Sequence, residues 1–253
     1  MESHYTKQGY IHAKQFFDET ELRYIKPALE NFHKAWQQDN AEFYKTRAVN
    51  SAYLTSAQYL SSNERQTLFN FIGSNKLVAL ASELIPDGPA FMNTQLFFNP
   101  VQPEQKNYWH RDIQYTNSPI AEQQQALHDI NVIHFRVALQ SEYGIELVPG
   151  SHENWDTPEE HEIRMERKGH KNHEPLQTGH AIPLEPGDLL VFSANMIHRG
   201  LYGKNRMALD ILFCDADPDL LQFANPDCMP SNPQLSEIEN PLPFTNSLKI
   251  MKN

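Results

Sequence analysis

The sequence predicts a mainly β chain of the double-sheet jelly-roll class, with helices gathered in front of it. Two observations carry this. Apolar residues recur at helical spacing up to about position 90, and beyond Pro89 the pattern changes to short apolar runs of strand length. Those runs are separated by turn signals: Asn99-Pro100, Pro149-Gly150, Glu185-Pro186-Gly187-Asp188 and Tyr202-Gly203. At 253 residues with 40% apolar composition, one folded domain with a sizeable core is expected.

Residues 1–90 read as mostly helical support. Asp18-Glu19-Thr20-Glu21 is a capping box, followed by Leu22, Ile25, Leu29 and Phe32 on one helical face, with Pro27 marking a kink or a restart. Ser74 caps a second helix carrying Leu77, Leu80, Ala81 and Leu84, which stops before Pro86. Residues 91–213 form the jelly-roll core. Strands are expected at 91–98, 131–139, 188–193 and 206–213, with shorter extended pieces around His110 and at 145–148. Residues 152–180 are polar and hold five of the twelve histidines. The capping box Thr157-Pro158-Glu159-Glu160 places a short helix there, inside a solvated surface insertion. The tail, residues 214–253, contains six prolines and no clear period, and is expected to wrap the body in extended form.

Bulk chemistry narrows the function. Lys+Arg is 21 against 32 for Asp+Glu, a net charge of −11, which argues against sequence-independent nucleic-acid binding. Only Cys214 and Cys228 occur, so a reducing compartment fits better than a disulfide framework. The N-terminal stretch lacks the basic-then-apolar pattern of a secretory signal. No apolar run approaches the roughly 20 residues that span a bilayer, so a cytoplasmic chain without membrane contact is expected.

The chemistry sits at His110, Asp112 and His198, with Arg206 just beyond. In an extended segment, residues two apart share a face, whereas on a helix they diverge by about 200°. His110 and Asp112 therefore chelate together only if their segment is extended. His198, just past the apolar run 189–192, is the candidate third ligand. Two imidazoles and one carboxylate with open positions form the facial triad of non-haem Fe(II) oxygenases. Alternation places Arg206, Ala208 and Asp210 on one face. A buried arginine there needs an anion, either a dicarboxylate or Asp210 itself.

Taken in order, His110-x-Asp112, Leu147-Val148-Pro149-Gly150-Ser151-His152, Pro186-Gly187-Asp188-Leu189-Leu190-Val191-Phe192, His198 and Arg206 resemble the phytanoyl-CoA dioxygenase family. The resemblance spans about residues 90–213. It implies a double-stranded β-helix, a cupin-like jelly roll, that uses Fe(II) and 2-oxoglutarate to oxidise a small molecule with dioxygen, releasing succinate and CO2. It assigns iron to His110, Asp112 and His198, and the far carboxylate of 2-oxoglutarate to Arg206. Asn93 and Gln95 resemble polar cofactor contacts. Relatives that halogenate lack the carboxylate present here as Asp112, so hydroxylation is expected. Many members carry a serine two residues after the distal histidine, where this chain has Gly200, so another donor must compensate.

Other readings compete. His110-Arg111-Asp112 with Asn117 also matches a kinase catalytic loop, but the chain has no Gly-x-Gly pair and no Asp-Phe-Gly. His134 and Arg136 alternate onto one strand face, facing substrate or cosubstrate, or serving as a satisfied core histidine and a rim arginine. His152 is read as fixing its turn. His161, His170, His173 and His180 lack a regular ligand pattern. Two further function classes stand beside the oxygenase: a non-catalytic barrel binding metal or a small acid, and a cupin-like oxygenase or metallohydrolase that needs no keto acid.

Overall fold

A computed structural model describes residues 2–116 and 118–252. Asn117 lies outside the described residues. Nine strands are present among them: β1 (Tyr10–Ala13), β2 (Asn50–Ala52), β3 (Ala90–Phe98), β4 (Val132–Ala138), β5 (Glu142–Leu147), β6 (His180–Leu184), β7 (Leu189–Ser193), β8 (His198–Gly200) and β9 (Met207–Cys214). They form a six-stranded sheet in the order β1-β7-β4-β9-β3-β2 and a three-stranded sheet in the order β6-β5-β8. Every recorded strand pairing is antiparallel.

The four long apolar runs become β3, β4, β7 and β9, shifted by a residue or two. Their side chains alternate between two faces. One face, with Phe135, Val191 and Ile211, packs against Ile25, Leu29 and Phe32 of the helix Glu19–Asp39. Leu190 and Phe192 on the other face meet Ile145, Leu147 and Ile182 of the small sheet. The predicted capping box is formed: Glu21 N donates to Asp18 Oδ1 at 2.9 Å, and Asp18 N to Glu21 Oε2 at 2.8 Å.

Several expectations change. Helix makes up 39% of the structure and strand 20%, so the chain is mixed α/β rather than mainly β, and the two sheets do not close into a barrel. The helix Glu19–Asp39 runs through Pro27 without restarting, its buried face continuous across the proline. Two edge strands, β1 and β2, lie within the region read as helical. The tail is not extended: it coils into short helical pieces at Pro218–Leu221, Pro226–Cys228 and Asn232–Leu235, then Leu242–Met251. Its prolines open these turns, where the missing N–H would find no helical partner anyway.

Residues 152–180 keep an exposed outer face but are docked on the body through a few buried side chains. Ile163 and Leu176 pack on Trp109, Val148 and Ile197. Asp156 is buried between Arg111 and Arg164, with its carboxylate 2.8 Å and 2.6 Å from them. The predicted helix is Pro158–Arg164, with Thr157 as its cap.

Candidate metal centre

The site begins as a piece of β-structure. His110 and His198 form an isolated antiparallel bridge, with N–H to carbonyl distances of 3.0 and 2.9 Å in the two directions. His198 therefore starts strand β8 and does not lie in a link, and the bridge sets the two rings 4.2 Å apart, centroid to centroid. Asp112 is not extended. Its N–H donates to Ala194 O, and it opens the short 3-10 helix Asp112–Thr116. The turn brings its carboxylate back toward the imidazoles instead of sending it away. One ligand atom from each of His110, Asp112 and His198 falls within 4.8 Å of the others.

Arg111, between two of these residues, fastens the segment. It is fully buried, and its guanidinium donates to Asp156 and to the main-chain carbonyls of Ser151, Asn154 and Asn195.

Each imidazole is held in one tautomer. His110 Nδ1 donates to Tyr108 O at 3.1 Å, and His198 Nδ1 to Met196 O at 3.0 Å. Both Nε2 lone pairs then face Asp112 Oδ1, each 3.6 Å away. A carbonyl on the far ring nitrogen is the usual support of a metal-binding histidine. Burial pushes the His198 imidazole down to about 3, helped by His110, and lowers His110 as well, so both are neutral donors near pH 7. Burial works to raise Asp112, but hydrogen bonding from His134 and the nearby imidazoles hold it well below the usual carboxylate range.

His134 and Arg136 share a face as expected and both line the cavity, with their polar atoms engaged by carboxylates. His134 Nε2 lies 2.8 Å from Asp112 Oδ2, and its Nδ1 3.2 Å from Asp210 Oδ2, with the ring stacked flat on Phe192. Burial opposes its charge, yet the hydrogen bonds to the two carboxylates raise it to about 9. Arg136 is buried in a bidentate pair with Glu142, at 2.9 and 3.0 Å, and reaches Asp210 at 3.1 Å. Glu142 was not legible in the sequence. A register shift in β5 between it and Ile145 breaks the alternation that would have exposed it.

Arg206 lines the same cavity, of about 280 Å³. Nη1 donates to Phe98 O, the Glu142 carboxylate is 3.8 Å from Nε, and Nε itself makes no hydrogen bond. Its sequence-suggested partner, Asp210, is taken by His134 and Arg136. Burial, then Arg136, draws the guanidinium down to about 10. Gly200 makes this position possible: a Cβ there would collide with Arg206 Nη2. Gln95 lines the cavity and Asn93 does not. The Asn93 amide oxygen accepts from the N–H groups of Tyr53 and Thr94. The sequence also gave no hint of Tyr108, Tyr115 and Tyr202 as lining residues. The first two hydroxyls lie 3.2 Å apart, and the Arg206 guanidinium sits 5.4 Å from the Tyr202 ring.

His152 Nε2 reaches Thr6 O, in line with a turn-fixing role. No second metal cluster occurs among the described residues, and Cys214 and Cys228 are free and buried.

Residues 5–206 match the profile of the phytanoyl-CoA dioxygenase (PhyH) family. The chain belongs to this family. Its members are oxygenases dependent on Fe(II) and 2-oxoglutarate. Among solved structures, AviO1 from Streptomyces viridochromogenes Tue57 is similar at 17% identity and a TM-score of 0.57, over 91% of this chain and 96% of that one. EctD from S. alaskensis, solved with 2-oxoglutarate and 5-hydroxyectoine, is similar at 14% identity and a TM-score of 0.57, over 85% and 75%. SnoK, a non-haem α-ketoglutarate-dependent carbocyclase from nogalamycin biosynthesis, is similar at 16% identity and a TM-score of 0.56, over 85% and 83%. At these identities the likeness is one of fold, the double-stranded β-helix type of these oxygenases. No curated protein matches the chain. No helix among the described residues is long and apolar enough to cross a membrane.

The donor set fits the family's cofactors. Two neutral imidazoles and a carboxylate suit a divalent iron. A buried arginine in the same cavity, with no hydrogen bond at Nε and the Glu142 carboxylate no nearer than 3.8 Å to it, suits an anion.

Proposed function

We propose that this chain is an Fe(II)- and 2-oxoglutarate-dependent dioxygenase that hydroxylates a small molecule, releasing succinate and CO2. The observation that carries this is the pairing, in one cavity, of three convergent ligands with an incompletely paired, buried arginine. His110, Asp112 and His198 hold the iron, and Arg206 holds the far carboxylate of the keto acid. The chemistry supplied there, once iron and keto acid are bound, is oxidative decarboxylation of 2-oxoglutarate coupled to oxygenation of a C–H bond.

The protein's part is positional and electrostatic. Tyr108 O and Met196 O keep the Nε2 lone pairs aimed inward. His134 occupies Asp112 Oδ2 and so leaves Oδ1 to face the imidazoles. Phe192 and Ile145 supply apolar wall that excludes water from the reacting region. Charge balance supports binding of both cofactors. The lining groups His134, Arg136, Arg206, Asp112 and Asp210, taken together with Glu142, which pairs with Arg136, balance three positive charges against three negative ones. A divalent cation and a divalent keto acid entering together preserve that neutrality, whereas either alone disturbs it. Asp112 keeps the position that halogenating relatives leave to chloride, which favours hydroxylation.

Anaerobic titration tests the proposal. Fe(II) plus 2-oxoglutarate should give the visible charge-transfer absorption of a chelated keto acid, and aerobic incubation should yield succinate that depends on added 2-oxoglutarate. A chain that binds iron without this absorption would be a binding module. Oxygen uptake independent of keto acid would mark the cupin-like alternative.

A further inference from the structure

A second, larger chamber of about 1000 Å³ adjoins the site and shares Asp112 and Tyr115 with the metal cavity. It lies where the six-stranded sheet's inner face continues past His134, between the helix Ile120–Asp129 and the tail turn Pro218–Leu221. Val132, one inward position before His134, and Leu212 of β9, which pairs with His134, form the floor with Met92 and Leu220. Aromatic rings stand at both ends: Tyr115, 54% exposed, at the junction and Phe223, 52% exposed, at the outer lip.

Its charge has one sign. Besides Asp112, the carboxylates lining it are Glu122, Asp129, Asp215, Asp217 and Asp219, and no lysine, arginine or histidine lines it among the described residues. Burial, together with the carboxylates of Asp87 and Asp217, pushes the Asp215 carboxyl above its ordinary value despite its hydrogen bonds to Asn131, as expected of an anion with no counter-cation. A low-dielectric recess rimmed by one sign of charge concentrates ligands of the other. Exposed aromatic faces favour organic cations in particular.

We infer that this chamber receives the substrate, and that the substrate is an amphipathic organic cation: an apolar body seated on Met92, Val132 and Leu212, with an ammonium or amine group among the rim carboxylates and aromatic rings. This rests on the dioxygenase reading, since it is Asp112 that makes the chamber a substrate chamber. It also excludes the polyanionic acyl-CoA thioester that the family's name suggests. Such a molecule would bring its phosphates against the acidic rim.

The test separates the two claims by using the iron-free chain. Calorimetry with octyltrimethylammonium, octanesulfonate and octanoyl-CoA compares one apolar length under three head groups. The cation should bind, and at low salt at least about tenfold tighter than either anion, the margin narrowing as salt screens the rim. Glu122→Lys with Asp129→Lys, both exposed on one helix, should weaken the cation about tenfold, whereas Glu122→Gln with Asp129→Asn should weaken it less. With Mn(II) held at the triad, the N-methyl proton signal of the bound cation should broaden, which places it beside Asp112. Equal or tighter binding of either anion, absence of cation binding, or a signal unaffected by Mn(II) while the metal is shown to be bound would overturn the inference. Loss of Mn(II) binding itself, with the cation still preferred, would instead fault the metal centre and leave the chamber's selectivity standing.

Discussion

The two chambers that meet at Asp112 are built on opposite electrostatic plans. The inner one, of about 280 Å³, is lined by His134, Arg136, Arg206, Asp112 and Asp210, with Glu142 pairing Arg136, and it leaves the buried Arg206 Nε without a hydrogen bond. The outer one is more than three times as large, apolar along its floor, and its charged lining groups among the described residues are all carboxylates. A charged network inside a low-dielectric site is stable only if nearly every group is paired, so a buried donor without a hydrogen bond marks where a ligand belongs. An acidic rim whose outer groups, such as Glu122 and Asp129, are exposed needs less pairing, because water reaches them, and it acts by attraction at a distance. On the reading proposed above, the contrast directs a dicarboxylate inward and away from the acidic chamber.

The comparison breaks first at the shared residue. Asp112→Ala removes a metal ligand and strips His134 of one partner. Fe(II) affinity should fall by more than about 100-fold, and succinate formation should drop to background, measured by metal titration and product assay. Next is the inner anchor. Arg206→Gln should raise KM for 2-oxoglutarate by about 100-fold while kcat changes far less, the loss of a charged contact worth about 2–3 kcal/mol. His134→Leu leaves both Asp112 Oδ2 and Asp210 short of a donor, and should weaken Fe(II) by about 10–100-fold, with His134→Gln recovering part of the affinity. A smaller effect sharpens the role of Gly200. Gly200→Ser restores the residue common in the family, yet here its Cβ meets Arg206, so KM for 2-oxoglutarate should rise severalfold rather than fall.

The smallest effect is on the pH dependence of stability in the metal-free chain. His198, pushed down to about 3 in the fold, is neutral there while the unfolded chain takes up a proton below about 6.5. Stability is therefore lost as pH falls from 6.5 toward 3. His134, raised to about 9, is the reverse: the fold holds a proton that the unfolded chain releases, so its stabilising contribution is full below 6.5 and is lost as pH rises toward 9. Thermal melts across this range should peak near pH 6.5, and His134→Leu should flatten the alkaline side.

What the sequence determined by itself was whatever depends on residue type and short-range period. The apolar runs behind β3, β4, β7 and β9, the capping boxes at Asp18 and Thr157, and the order of ligand-type residues from His110 to Arg206 are all local. The tertiary structure decided the rest. Asp112 joins the imidazoles through a 3-10 turn and not a strand face, because its N–H finds Ala194 O, a partner 82 residues along the chain. Asn93 turns to the main chain of Tyr53, and Arg136 disappears into Glu142 across a bulge. The tail's prolines open helices instead of an extended wrap, since helix Leu242–Met251 has strand β3 to pack on. A hydrogen bond or ion pair between distant segments leaves no period in either one, so which polar groups a buried site satisfies, and which it leaves for a ligand, emerges only once the chain has folded.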